Sequence, residues 1–197
     1  MMIDESNFNV NSLKKITPRK EWIFQDGHEV LRKKSSPVSN ISEQEIDAIN
    51  KMISYIDACY EDKHYQFDIR PGIAIAAPQV GLNKRMIYLH FNDEQDIEQK
   101  YFLINPEIIA FSEINSYIKG GEGCLSVAKD VKGIVPRKYK VIVKGFSLLD
   151  NKEIQIEARD LLAICLQHEI DHLDGILYHD RIDKNKPNYT EKNWVKI

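Results

Sequence analysis

No stretch of this 197-residue chain approaches the roughly 18 consecutive apolar residues of a membrane helix, so no membrane partner is expected. The first residues, MMIDESNFNVNSLKK, lack the apolar core of a secretory signal. Asp4 and Glu5 are unlike a transit peptide, and a cytoplasmic protein is expected. Cysteine is scarce. Cys59, Cys124 and Cys165 are odd in number and without close pairing, which argues against a disulfide framework and suits a reducing compartment. An excess of one charge is also missing: 27 Lys and Arg face 30 Asp and Glu, for a net charge of −3. That balance argues against a general DNA binder. There is no internal repeat and no compositional break that reads as a linker. No methionine follows Met86.

What is present fits one globular domain, 43% hydrophobic and long enough to bury a core. The expected organisation is a flexible arm over 1–20, a single domain over 21–183 and a polar tail over 184–197, as a monomer. A helix is expected from Ser42 to Tyr60. Ser42 and Glu45 form a capping-box pattern, Ile41 and Ile46 stand at staple positions, and Ile46, Ile49, Ile53, Ile56 and Tyr60 form a stripe. PGIAIAAPQVG (71–81) reads either as a tight buried strand or as a strand edge that meets a ligand and ends in the amide of Gln79. Strands are expected at 85–91 and 101–109, and a hairpin at 139–148 and 153–159. Asp160 then reads as an N-cap, Gly175 as a C′ terminator, and 177–182 as an extended segment. Strands followed by one helix, without βαβ alternation, imply an α+β fold of antiparallel strands packed around a buried C-terminal helix.

That helix, LLAICLQHEIDHLDG (161–175), carries His168, Glu169 and His172. Residues i and i+4 share a helix face, so two imidazoles can bind one metal ion while the glutamate stands beside it. A catalytic site of this kind needs a third protein ligand and an open position. Three completions are open. A metzincin-type metalloprotease needs a histidine at 178, where Tyr178 stands, and a downstream methionine, which is missing. A closed structural zinc site would add Cys124 and Cys165 but leaves no task for Glu169. The third takes Cys124 alone, in the glycine-rich GGEGCLSV, and leaves a position for water, with the Gln79 amide near a developing oxyanion.

Three motifs in order, GIAIAAPQ at 72–79, EGCLSV at 122–127 and QHEIDH at 167–172, strongly resemble those of the peptide deformylases. The likeness spans about 25–182 and is nearest the Gram-positive-type branch. Two positions depart from the family pattern: Ala74, where a second glycine is usual, and Ala128, where proline or an acid is usual.

The resemblance implies removal of the formyl group from formyl-methionyl nascent polypeptides, with ribosome contact as a further expectation. It implies Cys124, His168 and His172 as ligands of one divalent metal ion, Fe2+ by preference, with Zn2+, Ni2+ or Co2+ as substitutes. Glu169 would act as general base, with Gln79 and the Leu125 N–H as oxyanion donors. The peptide would lie along Gly72, Ile73, Ala74, Gly121 and Glu122 as an added strand, with Leu161, Ile164 and Cys165 around its methionine. A catalytically weak relative that only binds N-termini, disabled at Ala74, is the alternative. Asp171 and Arg137 read as structural ion-pairing groups, and His28, His64, His90 and His179 as surface or loop residues.

Overall fold

The computed structural model describes residues 13–197. The first helix, α1 (Glu43–Tyr60), starts as its sequence dictates. The Ser42 hydroxyl accepts from Gln44 N at 3.3 Å, and the Glu45 carboxylate accepts from Ser42 N at 3.0 Å. Its buried face is turned from the isoleucine stripe. Ala48, Ile49, Met52, Tyr55 and Ile56 are buried, whereas Ile46 and Ile53 are half-buried and Tyr60 is exposed. Alanine, methionine and tyrosine carry much of the contact that counting isoleucines missed. Of the expected N-terminal arm, residues 1–12 lie outside the described ones. Beyond them the chain runs along α1: Lys14 N donates to Asn50 Oδ1 at 3.0 Å and Ile16 N to Ser54 Oγ at 3.0 Å.

A single turn, α2 (His64–Phe67), precedes the short strand β1 (Ala74–Ala76). Then come β2 (Met86–Asn92), β3 (Glu98–Phe111), β4 (Asn115–Tyr117), β5 (Arg137–Lys138), β6 (Lys140–Ser147) and β7 (Lys152–Arg159). Five of these form an antiparallel sheet in the order β1-β2-β3-β6-β7. The second helix of length, α3 (Asp160–Leu173), packs against one face of that sheet and α1 against the other.

This two-sided burial explains why β2 reads as a nearly unbroken apolar run. Met86 and Tyr88 enter the core under α1, while Ile87, Leu89 and Phe91 enter the core under α3. His90, expected at the surface, is therefore buried. Its ring lies 2.7 Å from Asp57 and 2.7 Å from Glu98 and stacks on Tyr60.

β3 begins earlier and ends later than its apolar residues suggest. The register shift between Ile104 and Glu107 is where Pro106 sits, at a bulge that needs no ladder N–H. Gly145 faces it from β6, where a Cβ would come within 3.2 Å of Ile104 O. The expected hairpin is present, with Lys140 opposite Arg159 and Ser147 opposite Lys152.

Of the two expectations at the ends of α3, the N-cap differs and the C′ glycine holds. Asp160 is the first helical residue at φ +55, and its carboxylate lies 3.5 Å from Arg159 Nε. Gly175 is the C′ residue at φ +75, and a Cβ there would meet Arg32 O at 2.7 Å. The segment after it forms a 3-10 turn, Tyr178–Arg181, rather than an extended strand. The polar tail folds back. Its end, β8 (Val195–Lys196), pairs in parallel with β4, making a small sheet of order β5-β4-β8. No described helix is long and apolar enough to cross a membrane.

Candidate metal centre

α3 is apolar nearly all round, so its polar residues from Gln167 to His172 are buried among the core. His168 and His172 stand one turn apart with ring centroids 5.1 Å apart. The loop after β4 brings Cys124 to them: its Sγ lies 3.2 Å from His172 Nε2. One ligand atom each from Cys124, His168 and His172 lies within 4.8 Å of the others. Cys165 lies outside this group, which removes the fourth donor that a closed structural site would need.

A thiolate and two imidazoles suit a borderline transition-metal ion. Two buried atoms beside them lack a hydrogen-bond partner among the described residues, Glu169 Oε2 and His172 Nδ1. An unsatisfied carboxylate oxygen next to this donor set fits a site that handles metal-activated water.

The residues behind the donors form a buried ionic chain. The Arg137 guanidinium, 1% exposed, donates through Nε and Nη2 to the two Glu122 oxygens, each at 2.8 Å. Its Nη1 donates to Asp171 Oδ2 at 2.5 Å, and Arg181 Nε donates to the same oxygen at 2.5 Å. Glu122 Oε2 also lies 2.7 Å from His168 Nδ1. A carboxylate only accepts, so His168 carries its hydrogen on Nδ1 and turns Nε2 toward the other donors. Tyr178, the residue that stands where a metzincin histidine belongs, stacks on the His168 ring at 6.0 Å.

The electrostatics differ from one group to the next. Burial works to raise the Glu122 carboxyl, but Arg137 and His168 outweigh it and hold it at about 2. Burial pushes the Glu169 carboxyl up to about 7, a value suited to moving protons near neutral pH. Burial and the neighbouring His168 charge push His172 well below its ordinary value, so its Nε2 lone pair is free for a ligand bond. His168 is pushed the other way despite its burial, by Cys124 and Glu122.

Gln79 follows β1 on a 3-10 turn, Ala77–Val80. Its Oε1 accepts from Ala76 N at 2.8 Å, which aims its amide nitrogen at Ser126 Oγ, 3.1 Å away, and Cys124 Sγ, 3.6 Å away.

A cavity of 360 Å³ opens onto this group. Every expected site residue except His172 lines it: Gly72, Ile73, Ala74, Gln79, Gly121, Glu122, Cys124, Leu125, Leu161, Ile164, Cys165, His168 and Glu169. His172 sits behind them, 1% exposed. The Glu122 carboxylate, expected along the peptide, is taken up by Arg137 and His168. Ala74 has ordinary extended backbone in β1, so its methyl faces the cavity without strain. Sequence reading missed Arg70 and Ile118, which also line the cavity. Arg70 donates to Val127 O and to Asp130, each at 2.6 Å, tying the Cys124 loop to the end of the segment before β1. Nothing local marks either residue, because each reaches the site through a contact distant in sequence.

The chain is similar over most of its length to known proteins of one family. Residues 20–188 match the family model described as polypeptide deformylase. The peptide deformylase of Malacoplasma penetrans is 46% identical over 185 residues, covering 93% of this chain and 99% of that protein. That of Halalkalibacterium halodurans is 39% identical, covering 82% of this chain and 89% of that protein. Among solved structures, a peptide deformylase from Legionella pneumophila is 33% identical with a TM-score of 0.65, covering 86% of this chain and 89% of that one. A Met-Ala-Ser-bound class I type b peptide deformylase from Acinetobacter baumannii is 29% identical with a TM-score of 0.65, covering 86% of this chain and all of that one.

Proposed function

The chain belongs to the polypeptide deformylase family, and from that premise we propose how its residues carry out the reaction. The reaction is hydrolysis of the N-formyl group of new polypeptides, which releases formate and a free amine.

Cys124 from the loop after β4, with His168 and His172 on the buried helix that carries the His-Glu-x-x-His motif, would hold one divalent metal ion, Fe2+ by preference with Zn2+, Ni2+ or Co2+ as substitutes. Bound there, such an ion would lower the pKa of water and polarise a carbonyl oxygen. Glu169, unpartnered on one oxygen and shifted to about 7, takes the water proton and passes it to the leaving amine. The Gln79 amide, fixed through Ala76 N, and the Leu125 N–H donate to the oxyanion. The peptide adds along Gly72, Ile73 and Ala74 on one side and Gly121 and Glu122 on the other. Ile164, Leu161 and Cys165 on α3 receive the methionine side chain. The enzyme works as a cytoplasmic monomer on chains leaving the ribosome.

The observation that carries this reading is the convergence of one thiol and two imidazoles within 4.8 Å, beside a buried and unpaired carboxylate oxygen. Formate release from formyl-Met-Ala-Ser, assayed anaerobically after loading with iron or nickel, tests it. Stoichiometric metal and turnover are expected. Cys124→Ala should lose the metal, and retention of a full equivalent in that variant would point to another third ligand. Cleavage of internal bonds in an unformylated peptide would point to a protease instead.

A further inference from the structure

The stretch after Asp183 reads as a polar tail, yet its end pairs with the strand that leads into one wall of the cavity. In β8, Val195 stands opposite Ser116 and Lys196 opposite Tyr117. Ile197 N donates to Tyr117 O at 2.9 Å, and Lys119 N donates to Ile197 O at 3.1 Å. These two bonds grip the residues on either side of Ile118, and Ile118 lines the cavity.

From there the chain turns sharply toward Cys124. Gly121 N returns to Ile118 O at 3.0 Å, and Gly120 and Gly121 take φ of +103 and +94. The position of Ile118 is therefore passed on to Gly121 and Glu122, which line the same cavity. β4 is three residues long and pairs with β5 over two residues, Asn115 and Ser116. Its pairing on the β5 side stops before Tyr117. On the other edge, β8 carries the pairing on past Tyr117 to Lys119. Two further contacts bring the tail to this edge: Ile134 N donates to Pro187 O at 2.7 Å, and the Trp194 ring packs 6.4 Å from Tyr117.

We propose that Val195–Ile197 is a positioning element for the substrate: it holds Ile118 as one wall of the peptide-binding cavity. The strand touches none of the groups assigned to bond cleavage, so its contribution falls on affinity rather than on the chemical step. The inference rests on the deformylase reading of the cavity.

Ile197→Pro removes the N–H that Tyr117 O accepts while keeping the chain length. Ile118→Ala shortens the wall itself. In metal-loaded protein acting on formyl-Met-Ala-Ser, each variant is expected to raise KM about three- to tenfold, the worth of one modest contact, with kcat within about twofold and metal content unchanged. An unchanged KM in either variant, or a fall in kcat alone, would overturn the proposal. Calorimetric titration of Met-Ala-Ser gives a readout that needs no turnover. Weaker binding to Ile197→Pro than to wild type supports the strand's role, and equal binding refutes it. Wild-type protein that releases no formate would refute the deformylase reading instead and leave the titration to decide the strand's role.

Discussion

Glu122 fixes the His168 ring from behind: its Oε2 lies 2.7 Å from His168 Nδ1, while Arg137 holds both its oxygens at 2.8 Å. One carboxylate thus joins the His168 imidazole to a buried guanidinium, and through that to Asp171 one residue before His172. Loop and helix are locked together at the point where their side chains have to converge.

Replacing that carboxylate should be felt in two places. Glu122→Ala frees the His168 ring and is expected to weaken metal binding by about 10- to 100-fold. It also leaves Arg137 buried with half its partners, at a cost of about 3–5 kcal/mol. Competition with a chelator measures the first effect and denaturant unfolding the second. Wild-type metal affinity would show that Glu122 serves the fold alone.

Glu169 has no such structural partner to lose, since one of its oxygens makes no hydrogen bond among the described residues. Glu169→Gln should therefore keep the metal and the fold while formate release drops by about 10²–10⁴. Metal content and turnover measured on the same preparation check it. Near-normal turnover would remove Glu169 as the general base.

Ala74 allows a test in the opposite direction. It occupies β1 opposite Leu89 with ordinary extended backbone, and its methyl lines the cavity. Ala74→Gly relieves no strain and should cost about 0.5–1 kcal/mol of stability through added chain freedom. kcat should stay within about twofold. A gain of tenfold or more in kcat would show that alanine at this position had disabled the enzyme.

Much of the fold was legible because its signals are local. The Ser42–Glu45 cap, the hairpin turn at 150–152 and the Gly175 terminator each lie within a few residues of what they control. The grouping of Cys124, His168 and His172 was legible through three short motifs whose residue types serve one chemistry. What escaped depends on contacts between distant segments. His90 is buried because β2 is covered on both faces, and only the sheet order reveals that. β8 is a two-residue strand in a polar stretch, meaningful only beside β4. Glu122 was read by its place next to the peptide groove, whereas Arg137, distant in sequence, captures its side chain. Arg70 and Ile118 were missed for the same reason.

The capping box of α1 predicts a pH dependence well away from the candidate site. Burial works to raise the Glu45 carboxyl, but hydrogen bonds from the Ser42 hydroxyl and N–H outweigh it, and its pKa falls below the ordinary 4.5. A carboxylate depressed in the folded state adds stability above its unfolded pKa and loses it as pH falls through the folded value. Glu45→Gln keeps the shape and much of the cap but cannot ionise. Wild type should therefore melt above Glu45→Gln at neutral pH, and the gap should close as pH drops below about 4.5. Thermal melts of the two proteins across that range decide it. A gap that persists unchanged into acid would mean that packing of the side chain, and not its charge, stabilises the start of α1.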